Sequence, residues 1–137
     1  MDKVKIDITI LASVEKVWEY FNDPQHITKW NFAHESWHCP KSENDLKVGG
    51  KFNNRMEAKD GSFGFDFIGI YDEIIPNERI KYHMEDGRNV EVIFEKIDNN
   101  TTKVTEIFDP EKQNSVEMQR EGWYAILNNF HKYVENN

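Results

Sequence analysis

Near Ser115 the hydrophobic period of this chain changes from two residues to 3.6. Beyond that point Val116, Trp123, Ile126, Leu127, Phe130 and Val134 share one stripe, with Gln119 on the same side. Ser115 offers a side-chain cap, and Glu117 and Glu121 suit the positive N-terminal half of a helix. Some 20 residues give a helix roughly 30 Å long. A single amphipathic helix must bury its stripe, and the rest of the chain must supply the apolar surface.

That surface reads as strands in succession. Val4, Ile6, Ile8 and Ile10 alternate with polar residues as a half-buried first strand. Ser13 then caps a short helix with Val14, Val17, Trp18 and Phe21 on one face. Asn22-Asp23-Pro24 stops it, and Pro24 opens a second turn or short helix carrying Ile27 and Trp30. His34 to Cys39 is a weaker strand, and Pro40 to Leu46 reads as a polar loop. Five further strands are expected at 51–59, 64–75, 79–84, 89–96 and 101–108, with Asp60-Gly61 and Asp86-Gly87 as hairpin signals. The pattern predicts one α+β domain over 1–137. In it a curved antiparallel sheet of about six or seven strands grips the C-terminal helix, with two short helices after the first strand.

Charge and composition exclude several partners. A formal net charge of -8 disfavours phosphate backbones and anionic membranes, so neither nucleic acid nor membrane insertion is expected. Cys39 is the only cysteine and has no internal disulfide partner. With no apolar signal core or spanning stretch, a reducing cytoplasm is expected. His34, His38 and Cys39 are close in sequence, yet on a strand positions four apart are roughly 13 Å apart, so no metal site follows. Gly49-Gly50 lacks the Lys-Ser or Lys-Thr of a phosphate loop, and no cofactor is expected.

The inward polar residues carry the functional question. Glu106 alternates with Val104 and Phe108 on an inward strand face, and a buried carboxylate needs a partner or a proton. Arg55 is the attractive partner, with Gln119 and Tyr71 as hydrogen-bond companions. The group reads either as a polar anchor in an apolar pocket or as a structural ion pair. Phe52, Phe65, Phe67, Tyr71, Tyr82 and Trp123 either line a cavity or fill the core. Asp66 and Arg88 read as a surface pair between hairpins. Gly69 and Gly122 mark close packing or cavity room.

Several motifs carry a family resemblance: Val17-Trp18-Glu19, Trp30-Asn31, Val48-Gly49-Gly50-Lys51-Phe52, Arg55 to Gly61, Phe65-Asp66-Phe67-x-Gly69-x-Tyr71, Asp86-Gly87-Arg88 and Met118-Gln119-Arg120-x-Gly122-Trp123. In this order the chain resembles the START-like, or SRPBCC, superfamily, and within it the branch named for activators of the heat-shock-protein-90 ATPase. The resemblance implies a helix-grip fold and a cavity for apolar small molecules between sheet and helix. The candidate cavity set is Trp37, Phe52, Arg55, Met56, Phe65, Phe67, Tyr71, Tyr82, Met84, Glu106, Gln119 and Trp123. The leading expectation is a protein that sequesters or carries an apolar, lipid-like or polycyclic ligand. One alternative is a protein-interaction module like the co-chaperone domain, although the branch name is no evidence of a chaperone partner. Another is a cyclase- or hydrolase-like enzyme using Glu106 or His83 as the acid–base group, with the balance leaning against catalysis. Aromatic residues around Trp30 and Trp37, expected to be exposed, permit a homodimer.

Overall fold

The computed structural model describes residues 2–137. Its elements run β1 (Val4–Ile10), α1 (Val14–Asn22), α2 (Pro24–Trp30), β2 (Trp37–Asn44), β3 (Lys51–Ala58), β4 (Gly64–Ile75), β5 (Arg79–Met84), β6 (Asn89–Asp98), β7 (Thr101–Phe108) and α3 (Val116–Asn136). The seven strands form one antiparallel sheet in the order β1-β7-β6-β5-β4-β3-β2. β1 and β2 are its edges, and α1 and α2 form the connection between them. This is the helix-grip α+β architecture expected from the alternation and the terminal amphipathic stripe.

Local chemistry explains the element ends. Ser13 accepts a hydrogen bond from the Lys16 amide and starts α1. Asp23 accepts from the Gln25 amide and Pro24 occupies the first turn of α2. Ser115 accepts from the Met118 amide and starts α3. Gly61 and Gly87 take positive φ angles of 77° and 92° in the β3–β4 and β5–β6 turns, where a side chain would be strained.

Two readings of the sequence are corrected. The strand expected at His34 to Cys39 lies instead at Trp37–Asn44, and Pro40 falls inside it rather than opening a loop. The β2–β3 register shifts between His38 and Lys41. An edge strand with a bulge tolerates a residue without an N–H, which is how proline fits here. Trp30 is buried rather than exposed: its ring centroid lies 4.7 Å from that of Phe130, and its Nε1 donates to the Tyr20 carbonyl at 3.0 Å.

The core divides α3 into two halves. Its C-terminal half buries Leu127, Phe130 and Val134 completely or nearly so. Phe21, Trp30 and Phe130 form a ring cluster there, with Phe21 and Phe130 meeting edge to face at 5.3 Å. In the N-terminal half Trp123 and Ile126 are only partly buried, because space remains between them and the sheet.

Candidate functional site

The space under the N-terminal half of α3 is a cavity of about 340 Å³. The sheet supplies its floor. Register pairs Gly69 with both Phe52 and Met84, and Tyr71 with Tyr82, so inward side chains of β3, β4 and β5 meet in rows. Phe52, Phe67 and Tyr82 form one aromatic group, with Phe52 and Tyr82 perpendicular at 4.9 Å. Met56, Met84 and Ile80 fill between these rings. Trp123 closes the cavity from above and stacks on Phe108 at 4.0 Å with nearly parallel planes. Phe65, 43% exposed, marks the side nearest solvent.

A bulge between Tyr71 and Glu73 sets where this wall ends. Before it the odd-numbered residues of β4 face inward; after it the even-numbered Ile74 packs on the core opposite Ile80.

Glu106 reaches the same cavity from β7. Its cross-strand neighbours are Ile6 and Val92, both buried and apolar. The surface it retains faces the cavity. Among the described residues no donor or cation meets its carboxyl group, and burial alone pushes its pKa up to about 8. Glu106 is therefore mostly protonated at neutral pH and able to donate a hydrogen bond. Tyr82 is driven well above the ordinary phenol range, first by burial and then by the nearby Glu106 carboxyl.

The opposite wall is built from amides. Asn44 accepts from the Tyr71 hydroxyl at 2.6 Å and donates to the Asn22 backbone carbonyl at 2.7 Å. Asn54 accepts from Ser42 Oγ at 2.7 Å. Asn22 and Asn31 complete this side. Burial holds the Tyr71 phenol well above its ordinary pKa, and the hydrogen bond to Asn44 offsets only part of that rise.

Of the candidate residues, Phe52, Met56, Phe65, Phe67, Tyr71, Tyr82, Met84, Glu106 and Trp123 line the cavity. Arg55, Gln119 and Trp37 do not. Arg55 occupies the other face of β3, where it bonds Glu57 at 2.9 Å and lies 3.7 Å from Asp66. Phe52, Asn54, Met56 and Ala58 are the inward set of that strand, so Arg55 points away from Glu106. Gln119 turns toward the segment before α3, donating to the Glu111 carbonyl and accepting from the Glu111 amide. Trp37 lies at the β2 edge against Phe63 and Phe65. Asp66 and Arg88 do not pair with each other: Arg88 binds Asp86 at 2.8 Å and lines the cavity. His83 bonds Asp72 at 2.9 Å on the outer face, away from the cavity.

The sequence does not mark the asparagine wall as part of a site, and it marks Phe21, Ile27 and Ile126 only as apolar faces of their helices. Asn54 carried a signal, since it shares the parity of Phe52 and Met56. Asn22, Asn31 and Asn44 carried none, because they converge only when α1 and α2 fold against β2 and β3. Among the described residues no group of three His, Cys, Asp or Glu side chains could hold a metal ion, and no helix is long and apolar enough to cross a membrane.

A curled antiparallel sheet gripping a terminal helix over an internal cavity defines a START-like helix-grip protein. The chain matches the family described as Activator of Hsp90 ATPase homolog 1-like protein over residues 11–135, and it belongs to that family. It is similar to the AHSA1-like protein from Aeromonas hydrophila, at 43% identity and a TM-score of 0.88, covering 97% of this chain and 93% of that one. A Cytophaga hutchinsonii protein, Chr148, is 49% identical, with a TM-score of 0.85 and coverage of 98% and 93%. The Aha1 dimer from Colwellia psychrerythraea shares the fold at 19% identity and a TM-score of 0.76, with coverage of 98% and 97%. No curated protein matches the sequence.

Proposed function

We propose that this protein binds an apolar small molecule in the cavity beneath α3. The observation that carries this reading is a cavity of about 340 Å³ with aromatic and thioether walls and a carboxyl group that has no partner among the described residues. Ligand sites combine this kind of apolar lining with a few directed polar groups, and their volumes start near 300 Å³. At the volume of liquid water the space would hold about eleven waters.

Sequestration or carriage is favoured over catalysis. His83 bonds Asp72 on the outer face, which leaves Glu106 as the cavity's sole carboxyl or imidazole group among the described residues. General acid–base work on a bound molecule more often uses groups with separated roles.

Titration of isotope-labelled protein with naphthylmethanol, a neutral two-ring probe, tests the proposal. Saturable amide shifts confined to Phe52, Tyr82, Met84, Glu106 and Trp123 are expected. Ile126→Trp, which fills the cavity from α3, should abolish them while the protein stays folded. Absence of saturable shifts at these residues in the native chain would overturn the reading.

A further inference from the structure

From the ring-lined walls, the carboxyl group that faces them without a partner, and the acidic surface outside, we infer that the cavity selects a cationic amine carried on an apolar body. This rests on the binding reading above and specifies the chemistry of the ligand's polar end.

Three independent features point the same way. First, the lining holds one carboxyl group and no free cation among the described residues. Its titratable members are Tyr71, Tyr82, Arg88 and Glu106. Tyr71 donates to Asn44, and Arg88 Nε donates to Asp86 Oδ2 at 2.8 Å, which ties that guanidinium to a carboxylate at the cavity edge. The lining residues that α3 contributes, Trp123 and Ile126, are uncharged, and β1 faces Glu106 with Ile6. An ionised Glu106 would therefore meet no protein counter-charge among the described residues.

Second, the walls suit a cation. Phe52, Phe67, Tyr82 and Trp123 surround the space, with Phe67 and Tyr82 centroids 6.5 Å apart and Phe67 and Trp123 centroids 6.3 Å apart. Aromatic faces attract ammonium groups through the ring quadrupole, most strongly when water is excluded. Third, a net charge of -8 concentrates cations near the protein and disfavours anionic ligands.

Binding of an amine is then coupled to a proton. In the free protein Glu106 holds a proton at neutral pH. An ammonium group beside it stabilises the carboxylate, so the proton leaves to solvent as the ion pair forms. The amine keeps its own proton throughout, and no covalent bond is made or broken.

The experiment compares naphthylmethylamine with naphthylmethanol, alike in ring and size, by calorimetry at pH 7. The native protein should bind the amine at least about tenfold more tightly, because the ion pair replaces a neutral contact in a poorly solvated site. Titrations in phosphate and Tris buffers should differ in heat because most of one proton is released per amine bound. Glu106→Gln should bring the two affinities within about threefold and abolish proton release, with thermal melting used to verify its fold. Equal affinities in the native protein, or an amine preference that survives Glu106→Gln, would overturn the inference while leaving the cavity reading intact. If neither probe binds, both fall.

Discussion

Gly69 lies under the ring of Phe52: the two residues are paired across β3 and β4, and the ring occupies the place a side chain at 69 would take. A Cβ there would also sit 2.8 Å from Tyr82 Cδ2. The missing side chain lets two aromatic rings meet on the cavity floor. Gly69→Ala must displace one of them, and overpacking of this kind costs about 1–3 kcal/mol. Urea unfolding should show that loss, together with weaker binding of any cavity probe.

Gly122 behaves in the opposite way. Nothing lies within 4 Å of a Cβ built on it, so neither close packing nor a cavity wall requires glycine there. Gly122→Ala should stabilise the protein by about 1 kcal/mol through helix propensity alone. A rise in melting temperature with unchanged probe affinity is the expected outcome.

Stability should fall as pH rises through the neutral range. The folded-state pKa of Glu106 lies above its unfolded value, so between about pH 4.5 and 8 the native state binds the extra proton. The contribution is fully present below the unfolded pKa and is lost as pH passes the folded one. The slope is about 1.4 kcal/mol per pH unit, or roughly 5 kcal/mol across the window. Denaturation of native protein and Glu106→Gln at several pH values isolates it: the difference between them should grow from pH 5 to 8 and level off above.

Arg55→Ala provides the contrast. Arg55 bonds Glu57 and approaches Asp66 on the outer face, with its side chain 37% exposed. Exposed pairs of this kind contribute little to stability. The substitution should change stability correspondingly little and leave the pH slope assigned to Glu106 intact. A lost or shifted slope would mean that the two groups interact.

Tyr71→Phe removes the donor to Asn44 Oδ1, the bond that ties β4 to the end of β2. Asn44 keeps its own bond to the Asn22 carbonyl. The cost should be about 1–2 kcal/mol, since one acceptor loses its partner in a partly enclosed site. Hydrogen exchange should show the matching effect as faster exchange at the β2–β3 edge.

Much of the fold was legible locally. Ser13, Pro24 and Ser115 mark the helix starts because capping depends on a few adjacent residues. Alternation marks β1 and β4 to β7 because one face of each is buried. β2 was misplaced because its proline argues against a strand unless the edge and the bulge are already known. The inward position of Glu106 followed from its parity with Val104 and Phe108. Charge alone makes Arg55 its natural partner, but Arg55 is out of phase with Phe52 and Met56, which puts it on the outer face. The sequence alone determined a sheet with a terminal helix and a carboxyl group on the inner side. Only the tertiary structure decided that this carboxyl group has no partner, that four asparagines form the far wall, and that Gln119 turns away. Those outcomes depend on contacts between segments far apart in the chain, which local periodicity does not encode.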